Sequence, residues 1–96
     1  MQKFKIDTMR TLEETKDFMT SSDYKERFIA EYQQVKIRIE KLRKYICKIR
    51  AAETYGANVS APHDCSLYVL NYQYDVMKDY LDILEIRAII EKIDLE

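Results

Sequence analysis

Residues 67–92 read LYVLNYQYDVMKDYLDILEIRAIIEK, and within them Leu67, Leu70, Tyr74, Met77, Leu81, Leu84 and Ala88 advance by alternating steps of three and four. Side chains at that spacing fall on one stripe of an α-helix, the pattern of a bundle or coiled-coil seam. A second seam lies upstream, where Tyr32, Val35, Ile39, Leu42, Ile46 and Ile49 step by three, four, three, four and three. Each stripe needs an apolar partner. The two can face one another as a long antiparallel helical hairpin, but two helices leave much of each flank in water. The reading is therefore all-α, with the hairpin and a short N-terminal helix or arm oligomerising into a helical bundle of at least two chains.

Composition supports this class. Charged residues make up 34% and apolar residues 47% of 96 residues, with one Gly and one Pro. So few turn formers disfavour a β-fold, and the apolar content is too high for a disordered chain. No apolar run approaches the roughly 20 residues of a bilayer-crossing helix, and Asp7, Glu13 and Glu14 do not suit a secretory leader. A cytoplasmic protein with no membrane partner is predicted. Cys47 and Cys65, with the single His63, are too few for a closed zinc site, so no metal and no cofactor is expected. Both thiols read as reduced.

A single helical domain over residues 1–96 divides into an arm at 1–20, helix 1 at 23–53, a loop at 54–63 and helix 2 at 64–92. Thr11 with Glu14, and Asp23 with Glu26, have the spacing of capping boxes. Gly56, Asn58, Ser60 and Pro62 favour a turn, and Asp64 is placed to cap helix 2. Charge separates along the chain. Residues 36–50 hold seven basic side chains against Glu40, whereas acids dominate after Asp64. Opposite signs predict ion pairs along the rims of the seam, each contributing about 0.2–1 kcal/mol when exposed.

No nucleophile, base and orienting acid stand in a catalytic pattern, and no glycine loop is present to cradle phosphate, so the chain does not read as an enzyme. Asp75, Asp79 and Asp82 share a helix face and read as a solvated acidic surface. Eight tyrosines in 96 residues are the more telling feature. A ring beside a cation suits a base and its phosphate, and stacking contributes about 1–3 kcal/mol per base. The loop end gathers these elements: Arg43, Lys44, Lys48 and Arg50 close helix 1, Tyr55 and His63 flank the turn, and Tyr68 opens helix 2. A small phosphorylated ligand is the predicted partner there. A long nucleic acid is not, because the net charge is −1 and the basic stretch is matched by an acidic helix.

Two stretches, DYKERFIAEYQQVKIRIEKL at 23–42 and CSLYVLNYQYDVMKDYLDILEIRAIIEKIDL at 65–95, resemble a family of small helical phage and prophage proteins. These are related to a crAss-like phage protein and include sponges of the Sequestin type. The resemblance rests on RF-x-AEY at Arg27–Tyr32, I-x-KL at Ile39–Leu42 and M-x-x-Y-L-x-I-L-E-x-RA at Met77–Ala88. The chain departs from the family pattern at Ser66, where proline is usual, and at Tyr72, where Gln or Glu is typical. The resemblance implies a phage-encoded anti-defence protein in the host bacterial cytoplasm. It would sequester a small nucleotide immune signal, a cyclic dinucleotide or an ADP-ribose derivative, without turnover. Arg27, Glu31, Tyr80 and Arg87, which lie in the resembling blocks, form an alternative pocket set. Two other roles compete: a helical module that inhibits a host defence protein by direct contact, and a phage assembly accessory factor.

Overall fold

The computed structural model describes residues 11–55 and 64–95, apart from the Tyr55 side chain. Three helices follow in order: α1 at Lys16–Met19, α2 at Tyr24–Tyr55 and α3 at Leu67–Glu91. No strand occurs among the described residues, so the all-α reading holds. The molecule is 48 Å long, which is the length of α2 itself at about 1.5 Å per residue.

Local chemistry sets the helix ends. Thr11 and Glu14 form a reciprocal box, with the Thr11 amide donating to Glu14 Oε1 at 2.9 Å and the Glu14 amide donating to Thr11 Oγ1 at 3.2 Å. That box encloses a turn at 12–15, and the α-helix that follows it is only four residues long. Asp23 accepts from the Lys25 amide at 2.9 Å and starts α2. Glu26 does not complete the predicted second box, because its carboxylate takes a hydrogen bond from the Ser21 hydroxyl instead. The start of α3 also differs from expectation. Ser66, not Asp64, is the N-cap and accepts from the Val69 amide at 3.3 Å, so α3 begins three residues later than predicted. At its other end Lys92 takes the left-handed conformation at φ 58°, and the Ile93 amide donates to Ala88 O at 2.8 Å. This turn drops Ile93, 7% exposed, back onto the core.

Helices α2 and α3 pack in opposite directions, because the start of α2 meets the end of α3. Tyr24 Oη donates to Glu91 Oε1 at 3.0 Å and Tyr32 Oη to Glu85 Oε2 at 2.9 Å, while Arg50 near the end of α2 reaches Asn71 near the start of α3. Both predicted seams face inward. Phe28, Tyr32, Ile39, Leu81, Leu84 and Ala88 make one buried cluster, and Ile46, Ile49 and Leu70 make a second. Tyr74 packs against both clusters and joins them.

The sequence seams do not account for all of the burial. Ala30, Gln33 and Ile37 are buried on α2 at 0%, 2% and 8% exposure, a second stripe stepping by three and four. Helix α1 packs against α2, and Gln34 Nε2 donates to Thr15 Oγ1 at 3.0 Å. Thr15, fully buried, donates a hydrogen bond from its own hydroxyl to Leu12 O at 2.7 Å. Gln33 was unremarkable as sequence, yet its buried Oε1 has no hydrogen-bond partner among the described residues.

The rim contacts correct a second expectation. Ion pairs between described residues are all local: Lys16 with Glu13, Arg43 with Glu40 and Arg87 with Glu91. Opposite charge on α2 and α3 is thus not expressed as ion pairs across the seam. Tyrosine hydroxyls donating to glutamates hold the rim instead.

Candidate functional site

A cleft runs along one side of the α2–α3 pair. Toward the end of α2 it is lined by Arg43, Ile46, Cys47 and Arg50, with Asn71, Tyr74 and Asp75 of α3 opposite, and encloses about 290 Å3. The helical repeat explains the basic side: Arg43 and Arg50 are seven residues apart, two turns along one face, with Cys47 between them. On α3, Asn71 and Asp75 are one turn apart, and Tyr74 rises between them from the seam. Tyr68 and Tyr72, 76% and 62% exposed, line an adjoining shallow recess with Asn71 and Asp75. Further along, Tyr74 also walls a cleft of about 400 Å3 with Lys36, Lys78 and Asp82. Pockets for small ligands usually enclose about 300–1,000 Å3, so the single chain provides only the lower end of that range.

The two arginines differ in availability. Arg43 is bound to Glu40, donating from Nε to both carboxylate oxygens at 3.2 Å and from a terminal nitrogen to Oε1 at 2.6 Å. The Arg43 guanidinium holds the Glu40 carboxyl below its ordinary range, and Glu40 in turn raises Arg43. Its charge is thus partly offset and its position fixed. Among the described residues Arg50 has only a long contact of 3.4 Å to Asn71 Oδ1, whose amide nitrogen donates to Leu67 O at 3.0 Å. Arg50 is exposed and is the cation in this cleft best placed to meet an incoming anion.

The predicted site residues distribute unevenly over this geometry. Arg43 and Arg50 come together in one lining, and Tyr68 lies in the recess beside it. Lys44 and Lys48 are exposed on α2 outside that lining. His63 and the Tyr55 side chain lie outside the described residues. Of the alternative set, Arg27, Tyr80 and Arg87 are not gathered with these. Arg27 donates to Ser21 O at 2.7 Å, at the start of α2 and about 35 Å from Arg50 at the helical rise. Arg87 donates to Glu91 Oε2 at 2.8 Å and lies 4.8 Å from the centre of the Phe28 ring. It avoids burial by staying half-exposed over that ring, with Glu91 as its partner. Glu91 is held below its ordinary range first by the Arg87 hydrogen bond and then by Tyr24, whose phenol is raised in turn. Tyr80 is exposed on α3.

Sequence reasoning missed Asn71, Tyr74 and Asp75. Tyr74 was read as seam alone, and Asp75 as solvated acid. The signal for them is positional, since each lies one turn or less from the others on the α3 face that antiparallel packing sets against Arg43 and Arg50. Neither Cys47 nor Cys65 is disulfide-bonded, and both are exposed. None of the described helices is long and apolar enough to cross a membrane.

Comparison with known families decides the membership. The Sequestin family model matches residues 22–90, which takes in all of α2 and all of α3 but for its last residue. The chain belongs to the Sequestin family. No curated protein and no solved structure was found to match it. The matched segment of this Sequestin leaves α1 outside, so the family pattern coincides with the two packed helices and the cleft between them.

Proposed function

We propose that this Sequestin is a phage-encoded anti-defence protein that binds and withholds a small nucleotide signal in the host cytoplasm, without chemical turnover. The observation that carries the reading is the juxtaposition of Arg43 and Arg50 with Asn71, Tyr74 and Asp75 in one cleft. Arg50 contacts a phosphate oxygen, with Arg43, fixed by Glu40, supplying a second positive group beside it. Tyr68 and Tyr72 present ring faces for a base at the open end. Asp75 repels a phosphate but accepts hydrogen bonds from ribose hydroxyls or base N–H groups, which favours a nucleotide over inorganic phosphate. Lys44 and Lys48 contribute to the field that draws an anion to this end. The working form is a homo-oligomer of helical hairpins.

Binding without turnover is supported by membership of the Sequestin family. An arginine pair, an amide and a phenol bind and orient, with the Cys47 thiol and the Asp75 carboxylate completing the lining. Isothermal titration of the full chain with cyclic dinucleotides and ADP-ribose derivatives tests the proposal. Binding of one class is expected, with Arg50→Ala weakening it at least tenfold and the intact nucleotide recovered by mass spectrometry after denaturation. No heat with either class, or recovery of a cleaved product, refutes it. A stoichiometric bacterial protein captured in the absence of nucleotide binding supports direct inhibition of a defence protein instead.

A further inference from the structure

We infer that a second copy of this chain packs on the outer face of α3, with the two α3 helices antiparallel. That face is apolar although nothing among the described residues covers it. Val69, Tyr72, Val76, Tyr80, Ile83 and Ile90 are 48%, 62%, 52%, 39%, 55% and 71% exposed. They step by three, four, four, three and then seven, a second helical stripe nearly opposite the seam buried against α2. Tyr68 at 76% and Ile86 at 56% widen it along one edge. At roughly 100 Å2 for each of these large side chains the stripe offers about 800 Å2 of surface. Monomers rarely leave apolar patches beyond about 300–600 Å2, and a stable pairwise interface takes about 800 Å2 from each partner.

The order of residues selects the occupant and its direction. About a point between Asp79 and Tyr80 the stripe complements itself when reversed. Val69 then meets the partner's Ile90, Val76 meets the partner's Ile83, and Tyr72 meets the partner's Arg87. Arg87 already has the Phe28 ring 4.8 Å away and is half-exposed, so a second ring completes a cation held between two aromatic faces. Asp79, the other charge in the stripe, comes opposite the partner's Tyr80, whose hydroxyl can donate to it. Parallel pairing would set Arg87 against the partner's Arg87 and Asp79 against the partner's Asp79 in a drying interface, which is costly. The outer face of α2, with Lys41, Lys44 and Lys48 exposed, offers no comparable apolar surface.

The antiparallel arrangement also bears on the cleft. It brings the C-terminal end of the partner's α3 beside Tyr68 and Tyr72, giving the shallow recess they share with Asn71 and Asp75 a wall that the described residues of one chain do not supply. The pairing rests on the apolar stripe and holds whether or not a nucleotide is the ligand.

Light scattering on the full chain tests the pairing, and disulfide trapping tests its direction. The chain of 11.5 kDa is expected to run at twice that mass. Ile83→Asp is expected to return it to a monomer with unchanged helical circular dichroism, and Lys41→Asp to leave the dimer intact. With Cys47→Ser and Cys65→Ser removing the native thiols, Val76→Cys together with Ile83→Cys should oxidise to a covalent dimer, and Val76→Cys alone should not. The trapping result stands even if Ile83→Asp fails to fold. A monomer at all concentrations overturns the inference, as does a dimer that Val76→Cys alone locks, or one in which no stripe cysteine crosslinks.

Discussion

Replacing Leu84 with Ala isolates what the seam contributes. Leu84 is 1% exposed in the larger apolar cluster, beside Phe28, Tyr32 and Ala88. The substitution deletes three carbons, a transfer loss of about 2.4 kcal/mol at about 0.8 kcal/mol each. Because two long rods close poorly around a hole, a cavity penalty adds to this, and the total is about 3–4 kcal/mol. A domain of this length has a total stability of about 5–14 kcal/mol, so one side chain carries about a fifth of it or more. With a urea slope of about 1.5 kcal/mol per molar, the unfolding midpoint falls by about 2–2.7 M at an unchanged slope. Ile89→Ala is the matched control, an equally apolar position on the same helix that is 80% exposed, and its cost should stay within about 0.5 kcal/mol. Urea melts followed by far-ultraviolet circular dichroism, at one chain concentration, measure both. Equal losses at the two positions, or a Leu84→Ala cost below about 1 kcal/mol, would refute this account of the core.

Three further outcomes follow from particular contacts. Ser66→Ala removes the side-chain cap of α3 and should cost about 1 kcal/mol by chemical denaturation, whereas Asp64→Ala, away from the cap, should cost far less. Gln33→Leu replaces a buried amide whose oxygen is unpartnered with an apolar group of similar size and should raise the melting temperature, and a fall would show that the amide contributes to packing. Glu91 is depressed below its ordinary 4.5 by Arg87 and Tyr24, so its contribution is present above about pH 4.5 and lost as pH falls through the lower folded value. Glu91→Gln should therefore flatten the acid limb of a stability–pH profile, and a limb of unchanged slope would place the acid sensitivity elsewhere, with Glu40 the next group to test.

Much of the fold was legible because two strict helical repeats survive in the sequence. Tyr32, Ile39, Ile46 and Ile49 on α2, and Leu70, Leu81, Leu84 and Ala88 on α3, are buried as their spacing required. What the repeat could not show was how the remaining faces are used. Ala30, Gln33 and Ile37 look like an ordinary helix flank until α1 is seen against α2, and a polar Gln conceals the stripe. The cap moved from Asp64 to Ser66 because both residue types cap well, and sequence does not say where the first turn closes. For the cleft, the basic half was readable from Arg43 and Arg50, since one helix determines their spacing. The acidic and aromatic half was not, because it depends on the register between helices, which brings Asn71, Tyr74 and Asp75 opposite. Similarly, Tyr32 was legible as a seam residue, and only the register reveals that its hydroxyl reaches Glu85 and that the Tyr24 hydroxyl reaches Glu91.

Tyr74 gives the cleft a mechanical meaning. Its ring is shared by both apolar clusters and forms a wall of two neighbouring clefts. A molecule pressed against that ring leans on the joint between two halves that otherwise pack separately. Occupancy would therefore not merely stiffen one end: it would lock the halves together, so that slowed amide exchange would extend along both helices and well past the contact itself.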